Sequence, residues 1–87
     1  MKIAHLLLIA LAFLPLSSWA DTTRCYSIRH ADLKHYCLAD VAQQKSRCYS
    51  IRDNDMKNHC LAEVGQERSR CYSIKDHDRK QRCLAGF

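Results

Sequence analysis

The most reactive side chains in this 87-residue chain are six cysteines, Cys25, Cys37, Cys48, Cys60, Cys71 and Cys83. Thiols at regular spacing either oxidise to disulfides or hold a metal. No Cys-x₂-Cys pair occurs, and His35 and His59, beside Cys37 and Cys60, have no counterpart beside Cys83. Zinc is therefore not expected. Asp53-Asn54-Asp55 and Asp76-His77-Asp78 invite a calcium loop. Such a loop needs glycine at its sixth position and a carboxylate at its twelfth. Counting from Asp53 gives Asn58 and Val64, so these acids are read as caps and turn residues. Ser27, Ser50 and Ser73 are hydroxyls with histidines nearby. No nucleophile elbow or glycine-rich oxyanion loop accompanies them, and a threefold occurrence does not fit one asymmetric cleft. The expectation is a non-catalytic chain with no cofactor.

A second set of residues points to recognition. Tyr26, Tyr49 and Tyr72 recur with Arg24, Arg47 and Arg70. Tyrosine and arginine are the side chains most enriched at binding hot spots, and a tyrosine at the edge of a core packs its ring while its hydroxyl reaches water. These six residues are the candidate binding face.

The elements behind them come in three copies. Arg24-Cys25-Tyr26-Ser27-Ile28 returns at 47–51 and 70–74, and Cys37-Leu38-Ala39 returns at 60–62 and 83–85. The period is 23 residues, giving units 24–46, 47–69 and 70–87. At 100° per residue, Leu33, Cys37, Val41, Cys48 and Ile51 share a stripe about 80° wide, a helical signature. Met56, Cys60, Val64, Cys71 and Ile74 repeat it. Two long helices over 33–51 and 56–74 follow, between shorter ones near 22–29 and 79–86. Gly65 is the weak point of the second, costing about 1 kcal/mol against alanine in mid-helix. Asp32, Asp55 and Asp78 stand where N-cap carboxylates would accept first-turn N–H groups.

This geometry limits the pairing of the cysteines. Eleven residues along one helix separate Cys37 from Cys48 by about 16 Å, and a disulfide needs Cα atoms within about 7 Å. Across the turns, Cys25 faces Cys37, Cys48 faces Cys60 and Cys71 faces Cys83, and these local bonds are the first expectation. The alternative is nested: Cys48–Cys60, Cys37–Cys71 and Cys25–Cys83. That arrangement resembles the helical hairpins of the twin Cx₉C family. The cysteines of those proteins lie ten apart within a helix, those here eleven, and no function is carried over.

Residues 1–20 read as a cleavable export signal. Met1-Lys2 precedes an apolar run over 3–16, and Ser18-Trp19-Ala20 offers small residues at −3 and −1 of a cut before Asp21. The run is shorter than the roughly 20 residues a spanning helix needs, so no transmembrane segment is expected after cleavage. The mature domain would then be 21–87. Its 13 Lys and Arg against 9 Asp and Glu leave a net charge of +4 with neutral histidines. Export makes nucleic acid an improbable partner.

The combined expectation is an all-α, disulfide-stapled run of tandem helical hairpins, a miniature solenoid in form. It is periplasmic or secreted, and it binds an envelope or extracellular protein, or an anionic glycan or lipid, as an inhibitor, immunity protein or adaptor. The competing expectation is a cationic effector acting on membranes or rival cells.

Overall fold

The computed structural model describes residues 18–87, with side chains described from Thr22 onward. The expected leader therefore lies outside the described residues, apart from Ser18–Ala20. Every described element is helical: α1 Ser18–Tyr26, α2 Ala31–Ala42, α3 Lys45–Cys48, α4 Asn54–Val64, a 3₁₀ helix Arg68–Ser73 and α5 His77–Ala85. The disulfides are the local set. Cys25–Cys37 joins α1 to α2, Cys48–Cys60 joins α3 to α4, and Cys71–Cys83 joins the 3₁₀ helix to α5.

Two rows result. The back row is α2, α4 and α5, in which α2 touches α4 and α4 touches α5. The front row is α1, α3 and the 3₁₀ helix, which lie against the back row and not against one another. The core sits between the rows in two clusters. Ala39, Cys48, Ile51, Cys60 and Leu61 form the first, and Ala62, Cys71, Ile74 and Cys83 the second. Each cluster takes one alanine from the preceding unit, so the smallest buried side chain lies at each junction between units. Ile51, Leu61 and Ile74 are the largest non-cysteine side chains that are fully buried. At about 1.5–3 kcal/mol each, so few aliphatics make a thin core.

The two long helices expected from the stripe are interrupted. α2 stops at Ala42 because Gln43 adopts the left-handed conformation, φ 52°, and Gln66 does the same after α4, φ 56°. The N–H of Gln44 returns to the Ala39 carbonyl at 2.9 Å, and that of Glu67 to the Ala62 carbonyl at 3.0 Å. These six-to-one bonds are Schellman endings. The side-chain amides of Gln43 and Gln66 donate to the carbonyls of Asp40 and Glu63. Gly65 is not the left-handed residue (φ −82°). The interruption thus belongs to the repeat, not to the glycine. It also shifts the wheel: Leu33, a member of the stripe, is 48% exposed, while Leu38, outside it, is 3% exposed.

The caps move too. The N-caps are His30, Asp53 and Asp76, whose side chains accept from the N–H groups of Leu33, Met56 and Arg79. Asp32, Asp55 and Asp78 are not caps, because each helix begins one residue before them and they fall in its first turn. Asp32 and Asp55 have another role. Asp32 accepts the backbone N–H groups of Arg52 and Asp53 at 2.8 and 3.0 Å, and Asp55 accepts those of Lys75 and Asp76 at 2.8 and 3.0 Å. Each carboxylate clamps the turn of the next unit. Those paired N–H bonds hold both carboxyls below the usual aspartate range.

A candidate binding face and a neighbouring groove

The front row carries the repeated tyrosines. Each stands one residue after a core cysteine, so anchoring the cysteine inward turns the tyrosine outward. Tyr26, Tyr49 and Tyr72 are 59%, 56% and 59% exposed. They account for three of the five exposed large hydrophobic side chains among the described residues, with Leu33 and Phe87 the others.

The arginines expected beside them differ from unit to unit. Arg24 lies in the last turn of α1 and is exposed. Arg47 is partly buried, and its Nε contacts the Gln44 side chain at 3.4 Å. Arg70 donates from Nε to Glu67 Oε2 at 2.9 Å. The other oxygen of Glu67 pairs with Lys45 from the preceding unit. This three-residue bridge links all three units. It holds the Glu67 carboxyl below its usual range, with Lys45 the larger cause and Arg70 the second. Tyr49 interacts electrostatically with both Lys45 and Arg70. Arg68 lies over the Tyr72 ring, 5.9 Å from its centroid, a cation–π geometry. The cations that act on the tyrosine rings are thus Arg68 at Tyr72, and Lys45 and Arg70 at Tyr49. Sequence reasoning missed Lys45 and Arg68. The signal was available, since they occupy the same repeat position and are both basic.

The back row holds a shallow groove that sequence reasoning did not anticipate. Leu33, Tyr36, Met56, His59, Arg79 and Arg82 line it. They come from two repeat positions, Leu33/Met56/Arg79 and Tyr36/His59/Arg82, so the groove runs from apolar to cationic along the units. Tyr36 meets His59 edge-on at 6.1 Å. Both side chains converge on Glu63, Tyr36 Oη donating at 2.7 Å and His59 Nε2 lying 2.6 Å away. Burial and the Glu63 carboxylate push the Tyr36 phenol well above its usual range, so it stays a proton donor. Leu33 and Met56 had been placed in the apolar stripe, and this groove is where they lie.

Among the described residues, no three His, Cys, Asp or Glu side chains group closely enough to hold a metal ion. No helix among them is long and apolar enough to cross a membrane. Comparison with protein-family models, with curated proteins and with solved structures yields no match.

Proposed function

We propose that the chain is an exported, non-catalytic binding module that recognises a macromolecule through the tyrosines of its front row. The observation that carries this reading is that Tyr26, Tyr49 and Tyr72 are identical in the three units yet more than half exposed. The other repeated residues have evident internal roles at most positions. The cysteines, Ile51 and Ile74 form the core, and Asp32 and Asp55 clamp turns. Exposed aromatic rings flanked by cations are suited to a protein surface or a glycan that offers apolar area and acidic groups. Three disulfides with no free cysteine among the described residues fit an oxidising compartment, as export would supply.

The cationic-effector reading has less support. Its apolar helix faces would have to be free for lipid. Here Ile51, Leu61 and Ile74 are turned into the core, and Lys45 and Arg70 are paired with Glu67. Affinity capture from envelope extract with the oxidised protein supplies a partner to test. Tyr49→Ala then weakens capture by about 2 kcal/mol or more, a hot-spot-sized loss, while Lys57→Ala changes it little. Equal losses at Lys57 and Arg47, with Tyr49→Ala silent and folded, would reject the tyrosine face. Dye release from anionic vesicles would favour the effector.

A further inference from the structure

The junction between units is built twice inside the chain, with the same parts. A carboxylate in the back-row helix clamps two N–H groups of the next turn, at 2.8 and 3.0 Å in both cases. An alanine of that helix enters the cluster holding the next unit's isoleucine: Ala39 with Ile51, and Ala62 with Ile74. The turns share one geometry, with φ and ψ of −71° and 118° at His30 and of −67° and 120° at both Asp53 and Asp76.

Half of this junction is open at each end of the described fold. Asp78 is the counterpart of Asp32 and Asp55. Its side chain is 93% exposed, and its only polar contact among the described residues is a long one with His77. Ala85, the counterpart of the fully buried Ala39 and Ala62, is exposed, and Leu84 beside it is only partly buried. At the other end, Ile28 is partly exposed where Ile51 and Ile74 are each 1% exposed. Among the described residues, no carboxylate accepts from the backbone N–H groups of Arg29 and His30, the counterparts of the clamped pairs.

We propose that a second copy of this chain completes the junction: Ile28, Arg29 and His30 of one copy seat on Asp78, Leu84 and Ala85 of another. The two surfaces are complementary in charge and shape because the same junction joins the units inside each chain. The contact is head to tail, so each copy keeps one open end and the assembly grows or closes as a ring. The inference does not depend on the tyrosine face, which lies on other residues.

Sedimentation of the exported, oxidised protein from micromolar to millimolar concentration tests it. The mean mass rises with concentration and passes that of a dimer. Asp78→Lys removes the clamp at one end, at a side chain free of folding contacts. His30→Pro removes one donor at the other end, and its φ of −71° already suits proline; it also removes the cap that His30 gives α2, so circular dichroism of the dilute variant must show the helices retained before its association is compared. Each variant alone stays helical and associates at least about tenfold more weakly, the scale of a charge-assisted hydrogen bond. Mixed, they form a one-to-one complex, because each supplies the end the other lacks. A wild type that remains monomeric at all concentrations overturns the proposal. So does an Asp78→Lys protein that associates like wild type, or a mixture that fails to pair.

Discussion

Asp55 and Asp78 occupy the same repeat position and have opposite surroundings. Asp55 accepts two backbone N–H bonds from the turn at Lys75-Asp76, while Asp78 is 93% exposed in its side chain. Identical chemistry in different contexts gives a clean comparison. Asp55→Ala removes two charge-assisted bonds that tie the turn to α4, and water can replace them only in part because it does not anchor the turn to the helix. It is expected to lower the thermal midpoint of dilute protein, whereas Asp78→Ala leaves the midpoint unchanged. The clamp also sets an acid limit. The folded state holds the carboxyls of Asp32 and Asp55 below their unfolded range, so their stabilisation is full above that range and is lost as pH falls through the folded values. The difference in midpoint between wild type and Asp55→Ala is therefore expected to persist at neutral pH and to close below about pH 4. A constant difference across that range would mean the carboxylate acts through packing, not through its charge.

The turns that end α2 and α4 each depend on one glutamine. Gln43 and Gln66 hold φ of 52° and 56°, where a side chain is strained and glycine is not. Gln66→Gly is expected to hold or raise the thermal midpoint, and Gln66→Val to lower stability by about 1–2 kcal/mol, because a β-branched residue resists that conformation. In an unbroken helix over 56–74 the order would reverse, since glycine there costs about 1 kcal/mol and valine less. This interruption is the feature sequence reading missed. Cys60 and Cys71 are eleven residues apart, close to three turns of a continuous helix, so their spacing alone does not reveal that α4 stops at Val64 and that Cys71 lies in the 3₁₀ helix. A glutamine pair gives no conventional stop signal, and the glycine one residue earlier drew attention to the wrong position. The units, the helical class and all three disulfides were legible, because they follow from period and spacing. The clamp from Asp32 to Arg52 and Asp53 was not, because it joins residues 20 and 21 positions apart through side-chain geometry. The tyrosines were expected at the edge of the core with packed rings; they are more than half exposed, because each follows a cysteine that is turned inward. The groove needed the back-row packing that places Leu33 near Arg79.

Across the whole molecule, covalent staples outweigh the core. Each disulfide spans 12 residues, and closing a loop of that size contributes about 3 kcal/mol through chain entropy. A domain this small draws only about 3–5 kcal/mol from its apolar core. The oxidised protein should therefore weigh six hydrogens less than the reduced chain and lose most of its helical circular dichroism in strong reductant. Retained helicity and midpoint after reduction would contradict the staple argument. The three bonds close equal loops, so loop entropy alone predicts equal losses on removal. The junctions break that equality. The unit of α3 and α4 touches both neighbours, and α2 and α5 make no direct helix contact. In a stack whose stability sums unit and junction terms, loosening the middle unit weakens both junctions, and loosening the last weakens one. Cys48 and Cys60 share a cluster with Ala39 of the first unit, and the helix they anchor supplies Ala62 to the third. Replacing Cys48 and Cys60 with alanine should therefore lower stability by more than the loop value of about 3 kcal/mol. Replacing Cys71 and Cys83 should cost nearer that value and leave the first two units protected from amide exchange. Denaturant melts of the two double variants, with hydrogen exchange read unit by unit, make the comparison. Equal melts, or exchange that spreads into all three units when Cys71 and Cys83 are lost, would mean that the chain folds as one cooperative block and not as coupled repeats.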